Sequence, residues 1–206
     1  FDYEGLKEDS DEALQQYLQQ LSSVDPRRYN RSEQFAYWVN LYNALTVKLI
    51  SDNYPVDSIK ELGNNSLGLG PWDDELITIA GKPLTLNNIE HSILRPIWRD
   101  YRIHFAVNCA SIGCPNLQAE AFTADNHQQL LDLAAQEYLT HRRGLQFAAG
   151  KLYLSSIFDW YKDDFGDSKI ERFDRLSQHL PEVLAKQLKG YDGDIKYRYD
   201  WQLNTD

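Results

Sequence analysis

The chain has 206 residues, 42% hydrophobic and 13% aromatic, which is enough apolar matter for one substantial core and too much for a disordered polymer. A net charge of −10 argues against nucleic acid and anionic membrane surfaces as partners, because their phosphates would be repelled. No apolar run of about 18 residues is present, so no membrane-inserted helix is expected.

Asp9 and Ser10 precede an amphipathic helix carrying Leu14, Tyr17, Leu18 and Leu21, which Asp25-Pro26 ends. Residues 1–29 therefore read as an N-terminal helical extension, and 30–206 as a single domain. Asn30 with Glu33 three residues on has the form of a capping box. The helix it opens runs to about Asp52, with one stripe of Phe35, Trp38, Tyr42, Leu45 and Leu49 and a second of Ala36, Asn40, Asn43 and Val47. Apolar over most of its circumference, it should be central and buried. A short helix is expected within 55–62 and a glycine-containing loop at 63–71. Residues 76–79 and 83–86 flank Gly81-Lys82 as a hairpin. Asn87 is expected to cap the next helix with Glu90 at its third position, and Pro96 to end or kink it. The stretch 102–109 alternates as a strand, Ile103, Phe105, Val107 and Cys109 on one face and His104, Ala106 and Asn108 on the other.

Thr123 or Asp125 starts a helix that ends at Gly144. Residues 145–147 and 152–154 flank Ala149-Gly150 as a second hairpin. Ser156 and Asp159 open the aromatic segment Ile157 to Phe165, where Phe158, Trp160, Tyr161 and Phe165 are expected in the core, and Asp159, Asp163, Asp164 and Asp167 on a solvated face. Two helical patterns divided at Pro181 follow, with Gly190 after the second. The tail alternates strictly from Ile195 to Leu203, an amphipathic strand. Helices mix with hairpins without βαβ regularity. The expected fold is α+β, several helices around a small, largely antiparallel sheet.

Chemistry concentrates where the only two cysteines stand, Cys109 and Cys114. Cysteine is a strong nucleophile as thiolate and needs a base or a positive local potential. Of five histidines, His91 is the candidate base, since it lies in a short helix just upstream. His104 would point away from Cys109 in a regular strand. His127, His141 and His179 stand in polar helical contexts and read as exposed. Glu90, Asn40, Asn43 or Asn108 could orient the imidazole, although Glu90 is also wanted for capping. Amides within Ala110–Gly113 could serve as oxyanion donors. Three other readings stand beside this one: Cys109 as a small core hydrophobe, a Cys109–Cys114 disulfide if the loop folds back, and a zinc site that no ligand spacing supports. The basic cluster His141-Arg142-Arg143 is read as complementing a helix C-terminus. No phosphate loop or dinucleotide fingerprint is present, and no cofactor or metal is expected.

The residues resemble a family. Residues 37–45 resemble the "WxNLYNA" helix of the domain of unknown function 547 family. Ile89-Glu90-His91 with Leu94-Arg95 resembles its "IEH…LR" segment, and residues 102–115 its "RIHFALxCxxxxCP" segment. Residues 156–165 and 199–204 are similar to its "IFxWYxxDF" and "YDWxLN" segments. The resemblance covers about residue 30 to the end and supplies Asn40, Asn43, Glu90, His91, His104, Cys109 and Cys114 as residue types. Bacterial members are often exported, and plant members join the domain to a leucine zipper. No zipper heptads are visible, so the resemblance implies the exported type, periplasmic or membrane-tethered, in an oxidising compartment where a disulfide is favoured. The chain begins at Phe1 and contains no methionine, so a preceding segment is also expected.

The expected function is a cysteine hydrolase or acyltransferase of papain-like logic, acting on an amide or thioester. Cys109 is its nucleophile, His91 its base and Glu90 a positioning group, with Asn40, Asn43, His104 and Cys114 lining the site. The alternative is a non-catalytic module that binds a small molecule or peptide, with Cys109 and Cys114 structural.

Overall fold

A computed structural model describes residues 1–63 and 70–205; of the loop expected at 63–71, residues 64–69 lie outside the described residues. After α1 (Tyr3–Gly5) and α2 (Asp11–Ser23) comes α3 (Arg31–Asn53), about which the molecule is organised. The Asn30 side chain accepts from the amides of Ser32 and Glu33 at 2.9 and 3.0 Å, and the Glu33 carboxylate accepts the Asn30 amide at 2.8 Å. This is the expected capping box, worth about 1 kcal/mol. Buried residues run from Phe35 to Ser51 on both stripes, as they must on a helix apolar nearly all round.

Asn40 and Asn43 use their amides as backbone clamps on α3. Asn40 exchanges two bonds with Phe122, at 2.8 and 3.0 Å. Asn43 donates to the Ala106 carbonyl at 2.9 Å and accepts the Asn108 amide at 2.8 Å. Two irregular segments thereby find partners for backbone groups that would otherwise be buried unpaired.

β1 (Ile77–Ile79) and β2 (Lys82–Leu84) form the first hairpin. Its turn is Ala80-Gly81, both at positive φ, so Lys82 belongs to the strand rather than the turn. The next helix is not capped by Asn87, whose side chain donates to Asp73 at 2.7 Å. Thr85 and Asn88 exchange side-chain-to-backbone bonds instead. Residues Asn88–Leu94 wind as a π-helix, and Pro96 does not end it: α4 (Arg95–Trp98) follows directly.

The expected strand at 102–109 is a correction. Ile103–Ala106 is a helical turn, α5, and only the residues after it are extended. The amides of Ile103, His104, Phe105 and Val107 donate three or four residues back, to Asp100, Tyr101, Arg102 and Ile103. Residues 103–108 are buried on every side. A short, wholly buried run carries no period that separates helix from strand, and among the described residues no neighbouring strand offers a ladder.

α6 (His127–Thr140) starts slightly later than expected, behind a reciprocal Thr123–Asn126 pair. His127 is buried rather than exposed, its Nδ1 2.8 Å from the Ala124 carbonyl oxygen. β3 (Leu145–Ala148) and β4 (Lys151–Ser155) make the second hairpin about Ala149-Gly150. α7 (Ile157–Trp160) and α8 (Lys162–Phe165) form the aromatic segment, followed by α9 (Lys169–Ser177) and α10 (Glu182–Lys189) on either side of Pro181. β5 (Ile195–Arg198) pairs parallel with β4. Two small, mostly antiparallel sheets among helices make an α+β fold. No helix of the described residues is long and apolar enough to cross a membrane.

The tail keeps its alternation but leaves the sheet after Arg198. It runs instead against the cysteine loop, where the amides of Ile112 and Gly113 donate to Gln202 and Asp200, each at 2.8 Å. A Cβ on Gly113 would stand 2.8 Å from the Asp200 carbonyl oxygen, so only glycine permits this approach.

Candidate functional site

A cleft of ≈ 730 Å³ opens between the π-helix, the cysteine loop, α7 and the C-terminal tail. One wall is aromatic. Trp201 meets Trp72 and Trp160 at 5.7 Å and Tyr199 at 4.6 Å between ring centres. Trp160 is 47% exposed, an unusual cost for a residue of that size unless the surface is used. The aromatic segment thus divides: Phe158 and Phe165 are core, whereas Trp160 and Tyr161 face the cleft.

The floor is ionic and extends below the cleft. Buried His104 has its Nε2 2.7 Å from Asp164 and its Nδ1 3.6 Å from the equally buried Glu90. Its ring stacks on Tyr161 at 4.2 Å, and the Arg95 guanidinium lies over the Tyr161 ring at 4.9 Å. Arg95 Nε donates to Asp164 at 2.6 Å. Burial alone would strip the His104 proton, but the bonds and charges of Asp164 and Glu90 outweigh it and raise its pKa. Burial pushes Glu90 up, yet His104, with the charges of His91 and Arg95, holds it below the usual range. Asp164 is held well down by His104 and Arg95 against its own burial. The result is an imidazolium clamped between two carboxylates. Asp164 is therefore not part of a solvated acidic face.

His91 behaves differently. Burial, with opposing pulls from Glu90 and Arg95, lowers its pKa. Its Nδ1 lies 3.1 Å from Arg95 Nη1, which can only donate. That contact assigns the proton of the neutral ring to Nε2. His91 so held presents a donor rather than a basic lone pair at Nε2. Glu90 performs no capping; the buried Tyr42 phenol and the two histidines surround it.

Cys109 and Cys114 are joined by a disulfide, their Cα atoms 6.2 Å apart. The bond lines the cleft. The Tyr199 hydroxyl lies 3.0 Å from the Cys109 sulfur and donates to the Cys114 sulfur at 3.1 Å, and Ser111 Oγ lies 3.3 Å from Cys109. Burial holds the Tyr199 phenol far above its ordinary pKa, so it stays a donor. Three of the four turn amides are engaged: Ala110 donates to Asn108 Oδ1 at 2.7 Å, and Ile112 and Gly113 donate to the tail.

The structure brings Cys109, Cys114, Glu90, His91 and His104 to one cleft and leaves Asn40 and Asn43 outside it, on the far side of α3. Sequence reasoning missed Arg95, Asp164, Tyr161 and Tyr199 as parts of the site. All four stand inside the recurring motifs, which was the one signal available. Among the described residues no group of three His, Cys, Asp or Glu side chains is placed to hold a metal ion.

A family model described as "Protein of unknown function, DUF547" matches residues 26–139, which include α3, the π-helix and the cysteine loop. No curated protein and no solved structure matches the chain.

Proposed function

The chain belongs to the DUF547 family, and for it we propose a ligand-binding function: the cleft takes a small molecule or peptide with a flat apolar face, laid on Trp160 and Trp201, and hydrogen-bonding groups directed at the floor. The observation that carries this reading is the state of the reactive groups. The two sulfurs are bonded to each other, and His91 and His104 are held by Arg95, Glu90 and Asp164. The disulfide is then structural, tying the loop under the aromatic wall. It also supports residence in an oxidising, exported setting.

The test is tryptophan fluorescence titration of the unreduced protein with a panel of small aromatic amides and short peptides. Saturable quenching that weakens about tenfold in Trp160→Ala and persists in a Cys109→Ser/Cys114→Ser protein is expected. Binding that requires free Cys109 would overturn it.

A second reading rests on a separate observation, the hydroxyls of Tyr199 and Ser111 at the Cys109 sulfur. After reduction by an external dithiol these groups can stabilise a thiolate, the nucleophile of a hydrolase or acyltransferase acting on an amide or thioester. Its measurement is hydrolysis of a thioester probe by reduced protein, with complete loss in Cys109→Ala.

A further inference from the structure

The loop that carries Cys109 and Cys114 to the cleft presents Ile112 and Gly113 to a second hollow, of ≈ 470 Å³. Its character is opposite to that of the chain as a whole. His141, Arg142 and Arg143, which follow α6, line it together with Arg198 from β5. The hairpin β3–β4 and its parallel partner β5 bring Arg198 across, where its Nη2 donates to the Arg142 carbonyl at 2.5 Å and to Gln146 at 2.7 Å.

The cluster stands at the C-terminus of α6, as expected for charges that complement a helix dipole, but among the described residues neither Arg142 nor Arg143 donates to a carbonyl of its last turn. Arg143 lies over the Tyr138 ring at 5.7 Å and donates to Asn116 and, at 3.5 Å, to the Ile112 carbonyl. Its Nε is buried without a partner among the described residues, a group that normally finds one. Arg142 makes no side-chain hydrogen bond or ion pair among the described residues. Elsewhere Arg95, Arg102 and Arg175 are matched by Asp164, Asp100 and Glu171. Here the one acid in the lining is Asp200, whose Oδ1 accepts the Gln202 amide at 3.0 Å. With 31 acidic residues to 21 basic ones, three guanidiniums converging on one hollow without a paired carboxylate are not what random placement favours.

We propose that this hollow is an oxyanion site, receiving the doubly charged phosphate or dicarboxylate group of a small ligand. Guanidinium forks match such oxygens in pairs, and Arg142 and Arg198 supply them at the rim with Arg143 beneath. The net charge of −10 does not prevent this. At physiological salt the Debye length is about 8 Å, so the nearby arginines dominate the local potential. The site is independent of the cleft function proposed above.

The test is isothermal titration of the whole chain with inorganic phosphate and with malonate at fixed ionic strength, chloride serving as control. One saturable site is expected. Arg142→Ala and Arg198→Ala should each weaken it about tenfold or more, while Trp160→Ala should not change it. Both arginines are exposed, so folding is not at risk, and circular dichroism confirms it. Phosphate binding without malonate assigns a phosphorylated ligand, and the converse a dicarboxylate; either sustains the site. No saturable binding, equal competition by chloride, or affinity unchanged in both arginine variants would overturn it.

Discussion

Replacing His104 with leucine removes the imidazolium that two carboxylates share. Asp164 keeps Arg95, but Glu90 is left with a side chain 7% exposed and the imidazolium 3.6 Å from it gone. Removing one partner of a buried pair costs about 3–5 kcal/mol. At roughly 2–4 °C per kcal/mol for a chain of this size, the melting temperature should fall by about 6–20 °C. Adding Glu90→Gln removes the stranded charge, so the double variant should be more stable than the sum of the single losses predicts. Urea unfolding of the four proteins yields the coupling energy, and a value below about 0.5 kcal/mol would refute the reasoning. The pH dependence gives a second check. The raised pKa of His104 means that its contribution is fully present below the ordinary histidine value, about 6.5, and is lost as pH rises through its folded value. Glu90 and Asp164 are lowered, so theirs is present above the ordinary carboxylate value, about 4, and is lost as pH falls through their folded values. Wild type should therefore lose stability relative to His104→Leu as pH rises above the ordinary histidine value. A constant difference between the two from pH 6 to about pH 10 would show that the histidine is not a charged partner.

Three further outcomes are expected. Cys109→Ser/Cys114→Ser opens a short loop and should cost about 2 kcal/mol, read from the urea midpoint without reductant; a variant as stable as wild type would mean that the bond constrains nothing. Asn43→Ala strands the Ala106 carbonyl and the Asn108 amide in the core and should cost about 2–4 kcal/mol, more than Asn40→Ala at its partly exposed clamp; equal losses would contradict the difference in burial. Trp160→Ala should shift stability by less than about 1 kcal/mol while abolishing most ligand quenching, because the ring is half exposed and packs mainly on other cleft aromatics.

Much of the local structure was legible. The Asn30–Glu33 box, both hairpins and the Pro181 break depend on neighbours within about four residues, and such signals act wherever the segment lies. The failures share a different cause. Residues 102–109 alternate like a strand, but burial on all sides removes the contrast that alternation records. Asn87 has the composition of a cap, but Asp73 competes for its side chain from fourteen residues away. A regular strand would turn His104 from the cysteines; the α5 turn places it in the same cleft.

From the sequence alone came the family motifs, the α+β class, the central helix and the convergence of interest on Cys109, Cys114, Glu90 and His91. These follow from residue type and from periodicities of two to four residues, which the backbone imposes locally. Tertiary structure decided what those groups do. Only packing sets Asp164 against His104 across 60 residues and brings Tyr199 to the sulfurs and Arg198 to Arg142. Buried charges must find partners wherever the fold offers them, and a partner distant in the chain leaves no period in the sequence to announce it.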